Sequence, residues 1–477
     1  GRHVTLGELL QQAGVAAALP DGAAELEVSS VELDSRRCSP GSVFVCLQGA
    51  TTTGEAFVDD ALARGAVCVV ASSAVTAPIV VRVEASSMRR TLAALSATVV
   101  GTPAKSLTLA GVTGTNGKTT VTWLLDSVLN AVGYSAASIG TLTGARTTPP
   151  APELHRALRA VADHASASGR PGAALLEVSS HALDQGRVDG LTFDVAVFTN
   201  LSHEHLDYHG TMERYFAAKA SLFEPTRASA AVVCVDDEWG RRLAARTSIP
   251  TVEVATSEAV VDDARLGATT FRWRDRRHTT RLTGSVNVTN AMLTLAACDA
   301  LGVDTTAAAD ALEVAPPVPG RYDLVAGGPP SVVVDYAHSP DALARVLTDL
   351  RTFVDGGRLV VVFGCGGDRD REKRPVMGRV ATTLADEVVV TSDNPRSEDP
   401  AVIADEVLAG ATGPAAVRVV LDRRDAVAET VAAAGPHDVV LVAGKGHETT
   451  QEVNGHFEDL DDRVIAARAL AERGPTC

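Results

Sequence analysis

The sequence predicts an α/β protein of about three domains, each built on a largely parallel sheet, and three observations carry that prediction. Short valine-rich runs such as 332–334, 359–363 and 439–442 alternate with helical patterns, which is how buried parallel strands and their covering helices read. At 477 residues the chain exceeds what one ordinary core organises. Breaks rich in glycine and proline, Gly101-Thr102-Pro103 and Pro316-Pro317-Val318-Pro319-Gly320, divide it near 105 and 320.

Taken in order, residues 1–105 hold strand signals at 42–47, 66–71 and 79–83 among brief helical patterns. From Leu107 the pattern becomes strand, glycine-rich turn and helix, with Val121, Leu124, Leu125, Val128 and Leu129 on one helical face. Buried-strand runs follow at 174–178, 195–198 and 231–235. In 321–477 strand signals lie at 332–334, 359–363, 388–391, 417–421 and 439–442. Four of these run into unusual polar loops: Asp335-Tyr336-Ala337-His338, 364–369, Ser392-Asp393-Asn394-Pro395-Arg396 and Gly444-Lys445-Gly446-His447-Glu448. The carboxyl ends of parallel strands share one edge, so these loops are expected to converge on one site.

Composition narrows the function. Lys and Arg number 43 against 59 Asp and Glu, a net charge of −16, so the mean field repels nucleic acid and anionic lipid. An anionic ligand must then be held by a local cluster of donors. No apolar run approaches about 18 residues and no basic-then-apolar signal opens the sequence, which predicts a soluble, cytoplasmic chain without membrane insertion. The seven cysteines form no C-x-x-C pair, and most sit in strand-like runs as small hydrophobes with reduced thiols.

The strongest motif is Gly111-Val112-Thr113-Gly114-Thr115-Asn116-Gly117-Lys118-Thr119-Thr120. Its glycines let backbone N–H groups close around phosphate, Lys118 would neutralise the β/γ-phosphates, and the Thr119 hydroxyl would reach Mg²⁺. It is a variant, because the first glycine of the strict pattern falls at Val112. In 200–209, His203, His205 and His209 with Asp207 could form a zinc site, serve a Mg²⁺–nucleotide site together with Glu177, or lie on the surface. The phosphate loop favours the Mg²⁺ reading. Lys219, in an apolar helical stretch, reads by itself as a snorkelling side chain, and Asn287 and Asn290 as capping types.

Taken together these segments resemble the Mur ligase family over essentially the whole chain. Leu33-Asp34-Ser35-Arg36, 114–120, Glu177-Val178-Ser179-Ser180-His181, His205-Leu206-Asp207-Tyr208-His209, Asp335-Tyr336-Ala337-His338, Gly366-Gly367-Asp368-Arg369, Asp393-Asn394-Pro395-Arg396 and 444–448 occur in family order. The resemblance implies a uridine-nucleotide domain at 1–105, a central P-loop-type ATPase sheet at 106–320 and a Rossmann-like amino-acid domain at 321–477. It implies an ADP-forming ligase that joins an amino acid to UDP-N-acetylmuramoyl-alanyl-glutamate through an acyl phosphate, and a monomer is expected; because water would destroy the acyl phosphate, the C-terminal domain is expected to close over the site.

Carried over by position, Leu33, Ser35, Ala50, Thr51 and Thr52 would meet the uridine moiety. Thr147, Thr148, Ser179, Gln185 and Arg187 would hold the muramoyl-dipeptide. Gly114, Thr115, Asn116, Gly117, Lys118, Thr119, Thr120, Asn290, Arg321 and Asp335 would bind ATP, and Thr119, Glu177 and His205 would serve Mg²⁺. Lys118, Lys219, Glu177 and His205 would be catalytic, with Lys219 at the position carbamylated in the family. Arg369, Asp393, Asn394, Pro395, Arg396, Gly444 and Glu448 would grip the amino acid. Arg396, whose guanidinium fork matches a carboxylate, points to diaminopimelate rather than lysine. The alternatives are a lysine-adding or paralogous ligase, a metal hydrolase and a nucleotide-binding regulator. The sequence departs from the family's pattern at Thr53-Gly54, at His203, at Asp323 and in a shortened segment 140–148.

Overall fold

The computed structural model describes residues 4–49, 52–144 and 146–473. Ala50 and Thr51, two of the expected uridine contacts, lie outside the described residues. The chain forms two compact units, residues 1–258 with 289–312 and residues 259–288 with 313–477. Among the described residues no helix is long and apolar enough to cross a membrane.

The first unit carries two parallel sheets. The larger has the strand order Thr251–Val254, Ala231–Cys234, Val195–Phe198, Leu107–Thr113, Gly172–Glu177, Ser135–Ile139, with every neighbour parallel. Its inner strands are mostly apolar and almost entirely buried, as expected of valine-, leucine- and alanine-rich runs covered on both faces. Leu107–Thr113 lies inside the sheet and feeds the helix Lys118–Ala131, which buries Val121, Leu124, Leu125, Val128 and Leu129. The smaller sheet pairs Ser30–Glu32, Ser42–Val45, Ala66–Ala71 and Val80–Arg82, again in parallel.

The second unit is built on the order Asp323–Leu324, Ser331–Asp335, Val439–Ala443, Leu359–Phe363, Glu387–Val390, Ala416–Val419. Only the first pairing is antiparallel. At the outer edge Val417 and Val419 are exposed, and between them Arg418 donates to Glu387 at 3.3 Å and to Thr430 Oγ1 at 2.7 Å. Two antiparallel elements have no counterpart in the sequence reading: the three-stranded sheet Val260–Arg265, Ala268–Trp273, Arg276–Thr280 and the hairpin Thr450–Val453, His456–Asp459. The six described cysteines are buried and unpaired, and burial pushes the Cys46 thiol up to about 12.

His155, on the helix Ala151–Ser168, is 1% exposed and neither ring nitrogen has a hydrogen-bond partner. Burial pushes its pKa down from 6.5 to about 4. Above pH 6.5 the ring is neutral folded and unfolded; below it the unfolded chain takes up a proton that the folded chain refuses, so stability falls with pH until about 4. Between pH 7 and pH 5 this one group should remove about 2 kcal/mol. Urea midpoints of wild type and His155→Leu at both pH values check this; an equal loss in both would refute it.

Candidate active site

The phosphate loop follows Leu107–Thr113 and runs into the amino end of Lys118–Ala131. Gly114 (φ 147°) and Gly117 (φ 89°) are left-handed, and the first has no room for a side chain: a Cβ there would collide with Thr199 Oγ1. A Cβ on Gly117 would lie 2.7 Å from Asn290 Oδ1, so Asn290 abuts the loop. Asn116 N donates to Asn200 Oδ1 at 3.0 Å, Thr115 N to the Asn200 carbonyl at 2.9 Å and Thr199 Oγ1 to the Asn116 carbonyl at 2.5 Å. The loop is thereby set before any ligand arrives, with helical N–H groups at its mouth.

Two lysines meet on it. Lys118 Nζ donates to the carbonyls of Gly114 and Thr115, both at 2.9 Å, and Lys219 Nζ donates to the same Gly114 carbonyl at 2.8 Å. Lys219 is 1% exposed, with Nζ 4.8 Å from the Tyr215 ring centroid. It does not snorkel. Burial, and then the Lys118 charge, push its pKa well below the ordinary lysine value, with Glu204 opposing.

Glu177 ends the strand Gly172–Glu177 and is 2% exposed. It accepts from Thr119 Oγ1 at 2.9 Å, from Thr141 N at 2.8 Å and from Thr141 Oγ1 at 3.1 Å. His205, itself left-handed (φ 56°), precedes the short helix Leu206–His209, with Nε2 3.9 Å from Glu204 Oε2 and its ring 5.0 Å from that of His181. Burial pushes His205 down, and His181 to about 4. Among the described residues no three His, Cys, Asp or Glu side chains form a metal-binding group, so the three histidines of the 200–209 segment are not gathered into a zinc-type cluster. A Thr hydroxyl against a carboxylate is instead the hard oxygen donor set that Mg²⁺ takes.

Glu177 also organises the expected dipeptide residues. Thr148 Oγ1 donates to the Glu177 carbonyl at 2.7 Å and accepts from Ser179 N at 3.0 Å. Arg187 donates to the Thr148 carbonyl at 2.6 Å and to Gln185 Oε1 at 2.7 Å, while Thr147 and Thr141 share a hydroxyl contact at 3.2 Å. Arg89, which the sequence reading passed over, donates to the Gln185 carbonyl at 3.2 Å. A cavity of about 630 Å³ opens nearby, lined by Leu33, Arg37, Gly140, Arg146, Glu153 and Arg156 among others. Ser35 and Thr52 are not among its lining residues; Ser35 is buried beside Asp60, and the Thr52 carbonyl closes a turn on Gly49 N at 2.9 Å.

In the second unit the four polar loops do converge. A Cβ on Gly444 (φ 116°) would lie 2.7 Å from Asp393 Oδ2, one on Gly446 2.7 Å from Tyr336 Cβ, and Gly367 packs on the Pro395 carbonyl. Arg396 (φ 53°) donates to the Gly367 carbonyl at 2.8 Å, and its Nε is 3.4 Å from Glu452 Oε2. Asn394 Nδ2 and the buried Lys445 both donate to Glu448 Oε2, at 3.1 and 2.9 Å. Asp335 accepts from Tyr322 N and Ala337 N at 2.8 Å each; burial pushes its carboxyl up, and the Arg321 guanidinium opposes this. Arg321 itself stacks on Tyr336 at 4.3 Å, and Arg369 is exposed. Arg374, absent from the sequence reading, is 0% exposed; it donates to Glu398, Glu406 and the Gly366 carbonyl, tying the 364–369 loop to the segment that follows the 392–396 loop. It sits in Arg371-Glu372-Lys373-Arg374, a charge run that reads as a solvated face.

Compared with known proteins, residues 27–106 match the Mur ligase family catalytic domain, 112–298 the Mur ligase middle domain and 320–446 the Mur ligase glutamate ligase domain. A UDP-N-acetylmuramoyl-L-alanyl-D-glutamate–2,6-diaminopimelate ligase of Synechococcus elongatus is 42% identical, over 94% of this chain and 95% of its own. One of Streptomyces avermitilis is 41% identical, over 98% and 97%. A solved structure of a ligase of that name matches with a TM-score of 0.67 and 30% identity over 100% of both chains. MurF from Thermotoga maritima in complex with ADP shares the fold, with a TM-score of 0.62 and 21% identity over 94% and 97%. With all three domain types present in order and full-length relatives above 40% identity, the chain belongs to the Mur ligase family.

Proposed function

We propose that this chain is an ATP-dependent amide ligase that adds diaminopimelate to UDP-N-acetylmuramoyl-L-alanyl-D-glutamate in peptidoglycan precursor synthesis. The observation that carries the reading is the meeting of Lys118 and Lys219 on the Gly114 carbonyl, at the edge that also bears Glu177. The glutamyl carboxylate attacks the γ-phosphorus of ATP, giving an acyl phosphate and ADP. The amine of the amino acid attacks the acyl carbon, phosphate leaves, and one proton is released. Lys118 neutralises charge that builds on the transferring phosphoryl group. Thr119, Glu177 and His205 would hold Mg²⁺, which when bound supplies further charge neutralisation.

In this reading Thr147, Thr148, Ser179, Gln185 and Arg187 hold the dipeptide, and Leu33, Ser35 and Thr52, with Ala50 and Thr51, the uridine end. Asn290, Arg321 and Asp335 serve the nucleotide. Arg369, 393–396, Gly444 and Glu448 take the amino acid. Segments 1–105, 106–320 and 321–477 divide these tasks, and the enzyme works as a cytoplasmic monomer, a setting that suits the six unpaired cysteines among the described residues. With ATP, Mg²⁺ and the UDP-dipeptide but no amino acid, hydroxylamine should trap a hydroxamate at the glutamyl carboxylate; amide formation with no trappable intermediate would refute the stepwise route.

Lys219 acts as a carbamate. Carbamylation needs the neutral amine that its burial favours, and it turns a cation repelled by Lys118 into an anion attracted to it. Lys219→Ala should fold and lose about 10²-fold or more in turnover; wild-type activity of this variant in bicarbonate-free buffer would exclude the carbamate.

Diaminopimelate differs from lysine by one carboxylate, and Arg396 is the group placed to read it. Because Glu452 already lies 3.4 Å from its Nε, the penalty for lysine falls at the low end of the usual range, about 2 kcal/mol or roughly thirtyfold in kcat/KM. Arg396→Ala should lose most of that discrimination and leave the KM for ATP unchanged. Equal wild-type kcat/KM for the two amino acids would overturn the assignment.

A further inference from the structure

Arg423 stands where a helix should not want it. It is the first residue of the helix Arg423–Ala433, at the positive end of the helix dipole, and its side chain is 0% exposed. Its guanidinium donates to both oxygens of the equally buried Asp462, from Nε at 2.9 Å and from Nη2 at 2.7 Å. A buried pair of this kind regains about what it loses in desolvation, so an apolar pair would serve stability as well. What the ion pair adds is direction. Nη1 donates to the Ser392 carbonyl at 3.0 Å and Nη2 to the Ala443 carbonyl at 2.9 Å.

Those two carbonyls come from strands that are not neighbours. Ser392 follows Glu387–Val390 and Ala443 ends Val439–Ala443, with Leu359–Phe363 between them. Two strand spacings amount to roughly 10 Å, so one planar guanidinium reaches both only because the chain ends bend inward over the middle strand. Gly364, at the end of that strand, leaves the room: a Cβ there would collide with the Thr391 carbonyl. The next residue along each chain is Asp393 and Gly444, the pair whose carboxylate and backbone already lie side by side.

We propose that Arg423 is a positioning residue for the amino-acid site: by holding the Ser392 and Ala443 carbonyls on one guanidinium, it sets the spacing between Asp393 and the 444–448 segment without touching the amino acid. The proposal rests on the reading that these loops bind diaminopimelate.

Two full-length variants test it. Arg423→Met combined with Asp462→Leu removes both charges together and keeps the volume apolar. Arg423→Lys keeps a charge opposite Asp462 but cannot span the two carbonyls. Each should raise the KM for diaminopimelate tenfold or more, with the KM for ATP within twofold of wild type and thermal unfolding still cooperative. If the double variant does not fold, the lysine variant decides on the same threshold. Arg396→Ala, measured alongside, tests the underlying reading. If it raises the KM for diaminopimelate while the folded Arg423 variants stay within twofold of wild type, the positioning role is overturned. If Arg396→Ala also leaves that KM unchanged, the loops are not the amino-acid site and the proposal falls with the reading.

Discussion

One carbonyl oxygen, that of Gly114, accepts hydrogen bonds from two lysine side chains, and the electrostatics around this loop follow from that crowding. Two ammonium groups on one acceptor repel, and only one of them has water to share its charge. Lys118 is half-buried at the helix mouth, whereas Lys219, on the helix Met212–Ala220, is buried with its ammonium against the Tyr215 ring. The cost therefore falls on Lys219, which gives up its proton more readily than an ordinary lysine. The arrangement requires the Gly114 backbone to turn through a left-handed conformation with Thr199 packed against it, which only glycine permits.

The second unit solves a different problem with the same economy of parts. Its loops carry Asp393, Asn394, Arg396 and Glu448, and none of them is a rigid element. Their geometry is fixed by the buried Arg374 between Glu398 and Glu406, by the buried Lys445 between Asn394 and Glu448, and by the more exposed hairpin Thr450–Val453, His456–Asp459. The hairpin holds Arg396 in its left-handed conformation through Arg396 N to the Glu452 carbonyl at 3.1 Å and Asn454 N to the Arg396 carbonyl at 2.7 Å. A strained loop is thus held by a neighbouring ladder rather than by its own sequence.

The sequence announced those parts whose signal is local. Buried parallel strands show as apolar runs, and Val195–Phe198 and Leu359–Phe363 appear with the bounds expected of them. The phosphate loop shows because glycine, lysine and threonine must be contiguous. Other parts were silent for physical reasons. The turn Arg274-Asp275 takes left-handed angles at both residues without a glycine, so the sheet around it gave no hairpin signal. Asn454-Gly455 did carry that signal and could have been read. The strand Ser135–Ile139 is mostly small residues of intermediate burial, a pattern that belongs to no one class. Lys219, Arg374 and Arg423 are charged residues whose burial is decided by elements distant in sequence, so their surroundings suggest a surface.

The edge strand Ala416–Val419 has a consequence for how the molecule survives its own synthesis. Residues 416–421 read Ala-Val-Arg-Val-Val-Leu, and Val417, Val419 and Leu421 are exposed. Arg418 is the only interruption in a segment otherwise suited to adding strand after strand from other chains. Its bonds to Glu387 and Thr430, and an ion pair with Glu429 at 3.5 Å, hold that charge against the folded sheet. The opposite edge is formed by the two-residue antiparallel turn-back Asp323–Leu324, which is too short to template a long pairing. The sheet therefore ends in a two-residue strand on one side and, on the other, in a longer strand guarded by a single cation, which is the margin that offers nascent copies the longer template.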